Sequence, residues 1–173
     1  MKPKLITFLL SLSFLFLFSG FVYGEVPEVK REYYYSGNLR SETHYKNGKK
    51  EGLKIGWYES GEKWYEEHYK KGKKVGLENG WYESGVKNYE IIFSNGKKKG
   101  LETTWYKNGI KKYSKRYKNG KQEGMKTEWY ESGKKKSTSH YKNGIENGFR
   151  KEWDENGKLT FQGNFVDGKE VIE

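Results

Sequence analysis

Apolar and polar positions alternate through residues 53–69 in two short runs. Leu53 and Trp57 fall on one parity of the first run, and Tyr65 and Tyr69 on one parity of the second. The first set returns as Leu77 and Trp81, Leu101 and Trp105, Met125 and Trp129, and Phe149 and Trp153. The second returns as Tyr89 and Phe93, Tyr113 and Tyr117, and Phe161 and Phe165. A period of two puts each pair on one face of a β-strand. Ser60-Gly61 separates the two runs, with Asn108-Gly109 and Asn156-Gly157 in the same slot of later copies. Asn-Gly between strand-like runs signals a hairpin, since both residues tolerate positive φ. The second connection, Asn47-Gly48-Lys49-Lys50-Glu51-Gly52 and its equivalents, has two glycines flanking charged residues, which predicts a looser loop.

The spacing of these elements is constant. Trp57-Tyr58-Glu59-Ser60-Gly61 recurs at Trp81 and Trp129, with looser copies at Trp105 and Trp153 and a first one at Tyr33. Each copy lies 24 residues from the next, and only Trp64 falls off the beat. Such self-similarity marks a repeat array. Units beginning near residues 29, 53, 77, 101, 125 and 149 predict an all-β fold. It is an elongated, single-layer antiparallel meander of about six 24-residue hairpins. At ~4.8 Å per strand, twelve strands extend roughly 55 Å. The Leu/Trp and Tyr/Phe sets are expected to meet on one face, leaving Tyr58, Tyr82, Tyr106 and Tyr130 among Lys and Glu on the other.

Composition sharpens this reading. Apolar residues make up 33% of the 173 and aromatic residues 17%, so the buried surface is built from rings rather than aliphatic side chains. Alanine is absent, which removes the best helix former. The only prolines, Pro3 and Pro27, precede the repeats, as a hydrogen-bonded ladder requires. No cysteine is present, which excludes disulfides, thiolate-bound zinc and thiol nucleophiles.

The N-terminus is different. Lys2 and Lys4 precede an uncharged apolar run from Leu5 to Phe18, and Val22-Tyr23-Gly24 offers a cleavage site. These are the parts of a secretory signal, which predicts a signal peptide over 1–24, a lead-in over 25–28 and the array over 29–173. The mature chain would be periplasmic or extracellular; the alternative is an uncleaved membrane anchor. Cleavage removes two lysines and no acid from a formal charge of +11. Lysine spread through every unit reads as a solvated surface, or as a surface for an anionic partner.

Tyr45-Lys46-Asn47-Gly48-Lys49-Lys50-Glu51-Gly52 and Tyr117-Lys118-Asn119-Gly120-Lys121-Gln122-Glu123-Gly124 resemble MORN repeats. With the Trp-Tyr-Glu-Ser-Gly element, the chain is similar to the bacterial MORN variant, an antitoxin-like repeat family, over about residues 29–169. The resemblance implies stacked hairpins, protein–protein contact, binding of acidic phospholipids in some members, and neutralisation of a partner toxin. Export fits an immunity-like or envelope scaffolding role.

The residues themselves carry little chemistry. His44, His68 and His140 share one slot, but equivalent slots lie roughly 10 Å apart per unit, too far for ligands that must converge within ~2.1 Å of one ion. The glutamates repeat in like environments, which offers no split acid–base pair. There is no nucleophile elbow or phosphate loop. No catalytic, metal or cofactor residues are assigned, and no nucleic acid is expected. The expected function is a non-enzymatic interaction scaffold with a protein partner, Tyr58, Tyr82, Tyr106 and Tyr130 being the candidate contacts. The alternative is an envelope binder of anionic lipid or glycan.

Overall fold

The computed structural model describes residues 7–8 and 27–172. The proposed signal segment, apart from residues 7–8, lies outside the described residues. The chain forms one antiparallel sheet of sixteen strands in sequence order. It runs from Glu28–Tyr33, Leu39–Lys46, Lys49–Trp57 and Lys63–Lys70 to Leu159–Val166 and Lys169–Val171. Two hairpin arms are split, into Lys73–Lys74 with Gly76–Trp81 and Ile145–Glu146 with Gly148–Trp153. Thr7–Phe8 pairs with Arg31 and Glu32 on the outer edge of the first hairpin. The all-β hairpin meander expected from the 24-residue period is what forms.

The two connections exchange the roles expected of them. Asn47 and Gly48 have φ of 52° and 69°, which makes a tight two-residue turn of the I′ type. The residues after it are strand rather than loop, since Tyr45 pairs with Lys50 and Lys46 with Lys49. The Ser-Gly connection is the longer one. Tyr58 N–H donates to the Glu62 carbonyl at 2.8 Å and Gly61 N–H to the Tyr58 carbonyl at 3.0 Å, closing a five-residue loop. Ser-Gly supplies only one residue at positive φ there, Gly61 at 92°, whereas the I′ turn needs two.

A second expectation is overturned by register. Gly56 pairs with Tyr65, but Trp57 pairs with Lys63, so Trp64 is an extra bulge residue. The bulge and the odd loop length flip parity across the hairpin. Leu53 and Trp57 lie on one face with His68 and Lys63, while Tyr65 and Tyr69 lie on the other. The two sets never meet. Tyr65 instead covers Gly56, and Tyr89 covers Gly80, where an added Cβ would stand 2.1 Å from the ring. The bulge also accounts for the off-beat Trp64, whose ring lies 5.8 Å from that of Tyr58.

The face carrying Tyr65, Glu67 and Tyr69 is the packed one. Its middle row includes Ile91, the one buried apolar residue among those described, flanked through pairing by Glu78 and Glu102. Lysines and glutamates of this row and of the row beside it join across strands, as in Lys74 to Glu67 at 2.8 Å and Lys98 to Glu102 at 2.8 Å. Ring faces complete the coordination of the ammonium groups, with Lys54 4.8 Å from the Tyr65 centroid and Lys115 4.7 Å from that of Tyr113.

Candidate interaction surface

The opposite face is open. Its central row runs Leu53, His68, Leu77, Ile92, Leu101, Arg116, Met125, His140 and Phe149 across successive strands. Leu77 is 40% exposed, Leu101 42%, Met125 54% and Phe149 61%. A single-layer sheet supplies no second layer to cover them. Beside this row the repeated tryptophans alternate with lysines, Lys63 standing 5.2 Å from the Trp81 ring and Lys135 5.5 Å from that of Trp153. This ring-and-ammonium row holds neighbouring units together and leaves the aliphatic row outside it.

The histidines of the aliphatic row have a structural task. Nδ1 of His44 lies 2.7 Å from the Leu53 carbonyl, that of His68 3.1 Å from Leu77, and that of His140 3.2 Å from Phe149. Donation from Nδ1–H satisfies a carbonyl beside the interruption where three residues face one. Among the described residues no three histidine, aspartate or glutamate side chains converge on a point that could hold a metal ion.

Tyr58, Tyr82, Tyr106 and Tyr130 sit in the five-residue loops and are half-buried. Each hydroxyl donates to the carbonyl of the next unit's tryptophan: Trp81, Trp105, Trp129 and Trp153, at 2.8–2.9 Å. Tyr34 makes the same bond to Trp57 at 2.7 Å. The hydroxyl of each candidate contact residue is therefore committed within the chain. Burial raises the pKa of Tyr58 and Tyr106, the nearby glutamates adding to it. The loop tyrosines lie on opposite sides of their strands from the tryptophans, as expected, but on the same face as the Tyr65 set.

On the packed face, charge is held in pairs. Burial works against the Glu102 carboxylate. The hydrogen bonds from Lys98 and Tyr113 and the charge of Lys115 outweigh it and lower its pKa below the ordinary 4.5. Glu67 and Glu128 are lowered against the same burial penalty by Lys74 and Lys126. Burial, reinforced by the neighbouring glutamates, pushes the hydroxyls of Tyr69, Tyr89 and Tyr113 well above their usual range. Every one of these shifts belongs to the ladder that holds the sheet, and no shifted group stands alone in a cleft.

The margin formed by the two-residue turns is a third surface. Lys49, Lys70, Lys73, Lys97, Lys118, Lys121 and Lys142 stand along it, exposed and without a carboxylate partner among the described residues. Successive turns are stapled together: Gly72 N–H donates to the Lys50 carbonyl at 2.8 Å, and Gly120 N–H to that of Lys98 at 2.9 Å. The sequence placed lysine in every unit but gave no sign that part is locked in a ladder and part lines a free margin.

A family model described as MORN repeat variant matches residues 29–47, 122–143 and 146–167. These segments are similar to MORN repeats. The intervening MORN-like units share the 24-residue spacing, the I′ turns and the tyrosine-to-carbonyl bonds. A search of curated proteins finds no match to the chain. MORN repeats are commonly binding modules for protein or lipid and are generally not catalytic. Among the described residues no helix is long and apolar enough to cross a membrane.

Proposed function

We propose that the chain is an exported, non-enzymatic scaffold that presents its open face to a protein partner, an immunity-like neutralisation being one form of this. The observation that carries the reading is the aliphatic row. Leu77, Leu101, Met125 and Phe149 recur along a hydrogen-bonded sheet, 40–61% exposed, with no other part of the described chain against them. Exposed apolar residues recurring along one face, here interrupted by His68, Arg116 and His140, mark an interaction site. The test is capture from the native cell envelope by tagged residues 25–173, washed at low and then high salt. One near-stoichiometric protein should survive high salt and be lost with the pair Met125→Ser and Phe149→Ser. Retention by the double variant overturns the reading.

A second reading rests on the lysine margin beside that row, which suits anionic lipid or glycan. Contacts between exposed charges are screened at high salt, whereas a packed apolar interface is not. Capture of lipid or polymer alone, released by salt, selects this second reading.

A further inference from the structure

The stacked turns contain an internal control for anion binding. In two units a glutamate closes the gap to the next turn. Glu51 Oε2 accepts the backbone N–H of Lys71 at 2.5 Å, and Glu123 Oε2 accepts that of Asn143 at 2.8 Å. Donor and acceptor are 20 residues apart in both cases. Two equivalent acceptor positions lie between them, Val75 with donor Asn95 and Lys99 with donor Asn119; only the second carries a charge. At Lys99 the carboxylate is replaced by an ammonium, and the Asn119 N–H has no acceptor among the described residues.

A notch of about 290 Å³ opens at this place, lined by Ser94, Asn95, Lys97, Lys98, Lys99 and Asn119. Lys97 and Lys99 are both exposed and make no ion pair among the described residues. The Lys97 stem lies under the turn, 3.6 Å from where a Gly120 Cβ would be. Lys98 points to the other face, bound to Glu102 at 2.8 Å and set over the Tyr117 ring. Lys97, Lys99 and the unused Asn119 donor therefore line one notch, at a position that the following unit fills with the Glu123 carboxylate. Charge-assisted bonds from such donors are stronger than neutral ones.

We propose that this notch binds a single carboxylate supplied from outside the chain, held by the Asn119 N–H, Lys97 and Lys99. The inference goes beyond the scaffold reading and does not depend on it, because it rests on the turn geometry alone.

The experiment is an NMR titration of the full chain labelled with ¹⁵N-asparagine. The probes are an end-capped Gly-Glu-Gly peptide, its Gly-Gln-Gly counterpart and acetate, at constant ionic strength set with sodium chloride. The Asn119 amide should shift saturably with the glutamate peptide and not with the glutamine one. A matching response to acetate assigns a free small carboxylate, and a response to the peptide alone assigns a protein-borne one. Lys99→Glu should fill the notch from within, slowing Asn119 amide exchange several-fold toward that of Asn143 and abolishing the peptide response. Lys99→Gln should lose the response without slowing exchange. An Asn119 amide that ignores the glutamate peptide, or answers the glutamine peptide equally, overturns the site. So does unchanged Asn119 exchange in Lys99→Glu.

Discussion

Leu101 and Glu102 are neighbours on one strand, and their burial is the reverse of their chemistry. Glu102 is 6% exposed, while Leu101 is 42% exposed. The packed face hides its charges because each has a partner: Glu102 meets Lys98, Lys115 and the Tyr113 hydroxyl. The open face shows its leucines because nothing covers them. In a single-layer sheet, burial comes only from neighbouring side chains on the same face. Large rings and long paired side chains can cover one another in that geometry; short aliphatic ones cannot. The aliphatic row thus contributes little to folding, and its repetition along the array calls for a reason outside the chain.

The sharpest way to break the contrast is to remove the one buried aliphatic group. Ile91 is 3% exposed between Glu78 and Glu102. Ile91→Ala should cost roughly 3 kcal/mol in urea unfolding, from lost transfer energy and the cavity left behind. Ile92→Ala, the next residue and 42% exposed, should cost far less. Equal costs would mean that the two faces are not different environments.

The charge ladder comes next. Glu102→Ala strands Lys98 and Lys115 and should cost about 2 kcal/mol, moderated because Lys98 is 37% exposed. Its pH dependence has a definite sign. Glu67, Glu102 and Glu128 have pKa values lowered in the fold, so their stabilisation is present above the ordinary 4.5 and is lost as pH falls through the depressed values. The thermal midpoint should drop between pH 5 and pH 3. Glu102→Gln should flatten that drop, and an unchanged slope would remove Glu102 from the ladder.

Much of the packed face was legible in advance. The 24-residue recurrence of Trp57, Trp81, Trp105, Trp129 and Trp153 gave the hairpin period, and alternation within Lys63–Lys70 gave the shared face of Tyr65 and Tyr69. What failed was phase across a turn. One bulge residue, Trp64, decides whether Trp57 joins Tyr65 or opposes it, and alternation within a strand carries no information about a loop. The turn notch was hidden for a similar reason. Glu51 meets a backbone donor 20 residues away, and only the stacking of turns shows that Lys99 inverts that contact. The loop tyrosines stand out as contacts in the sequence because exposed tyrosine is favoured at interfaces; what the sequence does not show is that each hydroxyl bonds a carbonyl 23 residues on.

Those tyrosines supply a smaller effect at the seam between faces. Tyr82→Phe keeps the ring and removes only the bond to the Trp105 carbonyl, 2.8 Å long. The expected cost is about 1 kcal/mol by thermal or urea unfolding. Tyr82→Ser should cost more, since the ring is half-buried. If the phenylalanine variant unfolds with the parent, water serves the Trp105 carbonyl equally well and the bond does not staple the units.

The smallest stability effect belongs to the open face. Met125 and Phe149 are 54% and 61% exposed. Met125→Ser and Phe149→Ser should each move stability by no more than about 0.5 kcal/mol, the range of surface changes away from special features. The same pair should remove high-salt capture of a partner. Those two outcomes together separate a surface kept for binding from one kept for folding. A large loss of stability would place both side chains in the core and leave the open face without an outside task.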